Sequence, residues 1–168
     1  MKIPWIYHKD YDIPLPKNHR FSSSKFGDLY TLLIDSELAK YAEVFVPNAA
    51  KDSQLTEVHT RDYISKIKNG NLSNKEEKIL GLPWSETLSK RSYLAVNGTY
   101  LTAKLALING IACHLAGGTH HAHANYGSGF CVYNDLAYAA KNIISDGKCK
   151  KVLIIDCDVH QGDGTAEI

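Results

Sequence analysis

Two short apolar runs, Ile111–Ala116 and Lys151–Asp156, bracket a segment of helical periodicity, and this order constrains the fold more than any other feature of the chain. Runs of strand length without polar alternation suit strands covered on both faces, as in a parallel sheet. Between them Leu136, Ala137, Ala140 and Ile144 fall on one helical face, with Asn134 or Asp135 as the N-cap and Gly147 past the end. A strand–helix–strand crossover is right-handed and joins parallel strands, so the segments leaving both strands emerge on one sheet edge. The expectation is an α/β fold with a parallel sheet flanked by helices. His120 and His121, which follow the first run, should then face Asp156, Asp158, His160 and Asp163, which follow the second.

The remaining punctuation predicts an opening strand over Ile3–His8, a loop through Pro14 and Pro16, and a helix capped by Ser24 whose apolar positions Phe26, Leu29, Tyr30 and Leu33 fall at helical spacing. Val44–Val46 reads as a strand stopped by Pro47. Lys68–Lys78 offers little to bury and reads as a solvated loop or a frayed helix. After Pro83, Ser85 caps a long helix whose buried face takes Leu88, Leu94, Leu101, Leu105 and Ile108, ending at Asn109-Gly110.

A chain of 168 residues suits one domain, and 44% hydrophobic with 22% charged residues leaves no case for disorder. With 19 basic against 18 acidic side chains there is no basic footprint, so direct nucleic-acid binding is not expected. The N-terminus lacks the apolar core of a signal peptide and no segment approaches the roughly 20 apolar residues of a membrane span. A cytoplasmic location without membrane contact is the expectation. Cys113, Cys131, Cys149 and Cys157 show no CxxC spacing and read as reduced core thiols.

Residues two apart in extended backbone project to one side, so Asp156, Asp158 and His160 form a row of two carboxylates and an imidazole. Carboxylate oxygen and imidazole nitrogen are zinc donors, and a catalytic zinc site uses about three protein ligands plus an open position. The plainer alternative is polar decoration of a loop. It is disfavoured because an apolar strand running straight into Asp-Cys-Asp-Val-His is costly unless the carboxylates gain partners. The His120-His121 pair alone would be an ordinary structural feature. Opposite two surplus carboxylates it becomes a candidate for general base catalysis, since a carboxylate on one imidazole nitrogen fixes the tautomer and raises the basicity of the other.

As an ordered set, Gly117-Gly118-Thr119-His120-His121-Ala122, Gly127-Ser128-Gly129-Phe130-Cys131, Asn134-Asp135 and Asp156-Cys157-Asp158-Val159-His160-Gln161-Gly162-Asp163-Gly164-Thr165 resembles the histone deacetylase superfamily. Looser likeness extends to Tyr7-His8, His19-Arg20, Val58-His59 with Tyr63, and Gly81-Leu82-Pro83-Trp84-Ser85, which are similar to bacterial and plant members near class IV. The resemblance implies the three-layer α/β/α arginase/deacetylase fold and zinc-dependent removal of acetyl or acyl groups from lysine side chains or related amines. It makes Asp158 and His160 two zinc ligands, pairs Asp156 with His120 and Asp163 with His121, and makes His121 the general base, with His120 assisting. Gly129 and Phe130 would line the substrate tunnel, and Arg20 an inner channel for the product acid. A structural monovalent cation is a further implied cofactor, and an acetylated protein or small acylated amine the implied partner. The oligomeric state is left open.

The family's third zinc ligand, an aspartate, and its oxyanion-stabilising tyrosine lie further along than Ile168. The expectation is a single deacetylase-like domain over 1–168, incomplete at its C-terminus and inactive alone. Two other readings stay open: a non-catalytic remnant, and a dinuclear metallohydrolase of the arginase type, although arginase motifs differ from both glycine-rich runs.

Overall fold

The computed structural model describes residues 2–168. Its sheet holds three parallel strands in the order β2-β1-β3, with β1 at Ile3–Ile6, β2 at Ala42–Phe45 and β3 at Cys113–His114. Central β1 aligns Ile3 with Ala42 on one side and Trp5 with Cys113 on the other, and buries Trp5 and Ile6. Parallel strands need long crossovers, and here they are helical.

Helix α1 spans Lys25–Ile34 before β2, and α2 (Asp52–Leu55), α3 (Arg61–Asn69), α4 (Asn74–Leu80) and α5 (Glu86–Asn109) lie between β2 and β3. Helices α6 (Asp135–Ser145) and α7 (Asp163–Glu167) follow. The main core joins α3, α4, α5 and α6 through Ile67, Leu80, Leu88, Val96 and Tyr138, all fully buried. Helix α5 packs on both α6 and β1 and so ties core to sheet. Gly98 makes this approach possible, because a Cβ there would collide with Tyr11 Oη and lie 2.5 Å from His114 Nε2.

Several expectations need correction. Ser24 makes no capping bond; its hydroxyl donates to Asp28 Oδ2 at 2.9 Å instead. Lys68–Lys78, expected as a solvated loop or a frayed helix, buries no residue but is ordered as the end of α3, a short turn and the start of α4, which carries a capping box. There Ser73 Oγ accepts from Glu76 N–H at 3.3 Å and Glu76 Oε2 accepts from Ser73 N–H at 2.7 Å. The apolar face of α5 is buried only in its first half, and Ile108 is 79% exposed. The run Ile111–Ala116 contributes just Cys113 and His114 to the sheet. Lys151–Asp156 joins no sheet among the described residues, and Leu153 is 82% exposed. A strand needs a neighbour for its backbone and layers for both faces, and the described residues supply neither. The cysteines are all free, yet only Cys131 is buried while Cys113 and Cys157 are exposed. No helix among the described residues is long and apolar enough to cross a membrane.

Candidate active site

Asn134 organises the site before any chemistry is considered. Its Oδ1 caps α6 by accepting from Ala137 N–H at 3.0 Å. Its Nδ2 donates to the carbonyls of Ala122 at 3.0 Å and His120 at 3.4 Å, and lies 3.0 Å from Thr165 Oγ1. One fully buried amide therefore ties the loop of the histidine pair to α7. Neighbouring Asp135 does the same for the turn before the pair, accepting from Gly118 N–H at 2.9 Å and Thr119 N–H at 2.7 Å, and from the hydroxyls of Thr119 and Thr99. Buried His59 adds a third tie by bridging His123 O (3.0 Å) and Asn134 N (3.0 Å).

These ties bring the candidate residues together even though Lys151–Asp156 forms no strand. His120, 5% exposed, donates from Nδ1 to Asp156 Oδ2 at 2.6 Å. His121 donates from Nδ1 to Asp163 Oδ1 at 2.8 Å. The two rings lie 4.2 Å apart between centroids, and His160 is 6.0 Å beyond His121. Asp158 Oδ1 accepts from the backbone N–H of His160 at 2.7 Å and lies 2.9 Å from its Nδ1 and 3.9 Å from His120 Nε2.

The three carboxyls all titrate below the usual range. For Asp156 the main cause is the hydrogen bond from His120, for Asp158 the backbone N–H of His160 and then its ring, and for Asp163 the bond from His121. Each is therefore an anion near neutrality, able to orient an imidazole or bind a cation.

A cavity of about 620 Å3 is lined by both histidines, Asp158, His160, Arg20, Gly129 and Phe130. Gly129 and Phe130 both have positive φ, +53° and +67°, and the Phe130 ring packs 5.4 Å from Phe21. Arg20 is exposed at the cavity wall.

The donor atoms of Asp158 and His160 suit zinc in type. The two side chains lie side by side, with His160 Nδ1 hydrogen-bonded to Asp158 Oδ1 at 2.9 Å. Among the described residues no group of three His, Cys, Asp or Glu side chains converges as a metal site.

A model of the histone deacetylase domain matches residues 19–168. The chain belongs to the histone deacetylase family. An uncharacterized protein of Picosynechococcus sp. (strain ATCC 27264 / PCC 7002 / PR-6) is 46% identical over all of this chain and 56% of its own length. The acetoin utilization protein AcuC of Staphylococcus aureus (strain COL) is 35% identical over 88% of this chain and 40% of its own. Histone deacetylase 2 of Arabidopsis thaliana is 29% identical over 97% and 44%. The crystal structure of the HDA15 HD domain superposes with a TM-score of 0.81 at 20% identity, covering 99% of this chain and 49% of that one, which shows the shared fold. The chain spans about half the length of the curated relatives it matches.

In the sequence Asn134 and Asp135 stand as a helix cap and a motif block and His59 as part of a looser likeness, but none of them is assigned a bracing role, and His123 is not singled out. Only His123, set between Ala122 and Ala124, stands out as a polar residue among apolar neighbours.

Proposed function

We propose that this chain carries the proton-handling half of a zinc-dependent deacetylase site acting on acyl-lysine or a related acylated amine. The observation that carries the reading is the pair of histidines, each with Nδ1 on its own carboxylate, lining one cavity together with Asp158 and His160. An imidazole so held has a fixed tautomer, with Nε2 left as the acceptor. His121 takes the proton of the attacking water and returns one to the leaving amine, while Asp163 holds the ring through both transfers. His120, nine-tenths buried between Asp156 and its partner ring, supports the site by hydrogen bonding and charge. Zinc, held by Asp158, His160 and a donor from outside the described residues, would supply Lewis acidity at the amide carbonyl. Phe21, Phe26, Gly129 and Phe130 form an apolar cavity wall suited to the aliphatic stem of a lysine-like chain.

Both an acetylated protein and a small acylated amine fit this reading. The name of one relative, histone deacetylase 2, points to a histone substrate. The test is acetate release from an acetyl-lysine peptide and from acetylated polyamine, with and without added zinc, by the protein that contains this chain. Zinc-dependent release supports the reading, and tight zinc binding without release from any acylated amine refutes it.

A further inference from the structure

His123 shares the loop of the histidine pair but takes no part in the reaction proposed above. It is 6% exposed, and every part of it is held. Its backbone N–H donates to Tyr126 O at 2.9 Å, and its ring stacks on Tyr126 with centroids 4.3 Å apart and planes at 12°. Its carbonyl accepts from His59 Nδ1 at 3.0 Å.

The two ring nitrogens both face carboxylates of α7. Nδ1 lies 2.6 Å from Glu167 Oε2, and Nε2 lies 3.5 Å from Asp163 Oδ2. Asp163 and Glu167 are four residues apart, so they share one face of that helix. The other oxygen of Asp163, Oδ1, is the one that accepts from His121 Nδ1. Glu167, His123, Asp163 and His121 thus form an alternating row of carboxylates and imidazoles, ending at the proposed base.

Burying an imidazole is unfavourable unless its polar atoms are satisfied. Here Glu167 satisfies Nδ1 at 2.6 Å, and Nε2 faces the carboxylate that serves His121 at 3.5 Å. The side chain of Asp163 is half exposed, and without a second anchor its carboxylate would be free to turn toward solvent.

We propose that His123 is a positioning residue: with N–H on both ring nitrogens, one donated to Glu167 and one directed at Asp163, it fixes the Asp163 carboxylate in the orientation that locks the His121 tautomer. The proposal rests on the reading of His121 as the general base.

The test is imidazole 15N NMR, with histidine labelled, of the protein that contains this chain, recorded at a pH where the His121 ring is neutral and the His123 ring carries both N–H protons. The wild-type chain shows His121 as a single Nδ1–H tautomer. His123→Leu loses that signature and shows both tautomers, and His123→Gln, whose amide can place an N–H near the former Nε2, restores it. Glu167→Ala changes only a half-exposed side chain and gives the same mixture to a smaller degree, so the answer does not depend on His123→Leu folding. A single tautomer retained in Glu167→Ala, or a mixture that His123→Gln fails to reverse, overturns the proposal. The general-base reading fails separately, by full turnover in His121→Ala, which leaves the tautomer result untouched.

Discussion

Gly129 lies against the face of His121. A Cβ at position 129 would stand 2.7 Å from His121 Cδ2 and 3.1 Å from Cγ, at a φ of +53° that side chains rarely adopt. The glycine-rich loop and the proposed base are therefore packed as one unit. Gly129→Ala is expected to push the imidazole off Asp163 and lower turnover about 100-fold, the order associated with a misplacement of about 1 Å. Backbone strain alone accounts for about 1–2 kcal/mol of lost stability. Steady-state kinetics beside a denaturant melt check this, and unchanged turnover in a destabilised variant would count against the packing argument.

The two halves of the site should respond differently to truncation. His121→Ala removes a proton carrier and is expected to lower turnover about 100- to 10,000-fold with zinc retained. Asp158→Ala removes one of few metal donors and is expected to lose the zinc itself. Metal analysis after dialysis separates them, and equal zinc occupancy in both variants contradicts the assignments.

Asn134→Ala removes a helix cap together with the ties to His120, Ala122 and Thr165. Loss of a cap costs about 1 kcal/mol, and carbonyls left buried without partners add about 1–3 kcal/mol. A destabilisation of about 2–4 kcal/mol in urea is the expected outcome. A loss below about 0.5 kcal/mol would show that water replaces the amide and that the tether is dispensable.

Acid should weaken the fold before it reaches the carboxylates. Burial pushes the His59 ring from 6.5 down to about 4, and burial likewise pushes His114 down to about 4. Between these limits the unfolded chain binds protons that the folded chain refuses, so stability is complete above about pH 6.5 and is lost as pH falls toward 4. Each ring contributes on the order of 3 kcal/mol across that window. Urea melts between pH 7.5 and 4.5 check the slope, and a flat profile means the rings are solvated in the folded protein.

Leu153 and Leu88 test the packing contrast between the two ends of the chain. Leu88 is fully buried on α5 whereas Leu153 is 82% exposed. In the 168-residue chain, Leu88→Ala is expected to cost about 2–5 kcal/mol and Leu153→Ala less than about 0.5 kcal/mol. Comparable losses would place Lys151–Asp156 in a packed layer.

Much of the architecture is local information. Ser85 and Gly110 delimit α5, Asn134 and Gly147 delimit α6, and the runs before and after His120-His121 are those of an α/β chain. Caps, turns and periodicity act within a few residues, so a linear reading finds them. The pairing of Asp156 with His120 and of Asp163 with His121 was legible only through the ordered motifs, because no spacing rule connects residues some forty positions apart. Tertiary structure alone decided which apolar positions are covered. Ile108 and Leu153 look as buried as Leu88 when read along the chain, yet burial depends on what packs opposite, a property of the whole assembly of layers. It also decided that Asn134, Asp135 and His123 brace the site, since a buried polar group reveals its purpose only through the partners that three dimensions bring to it.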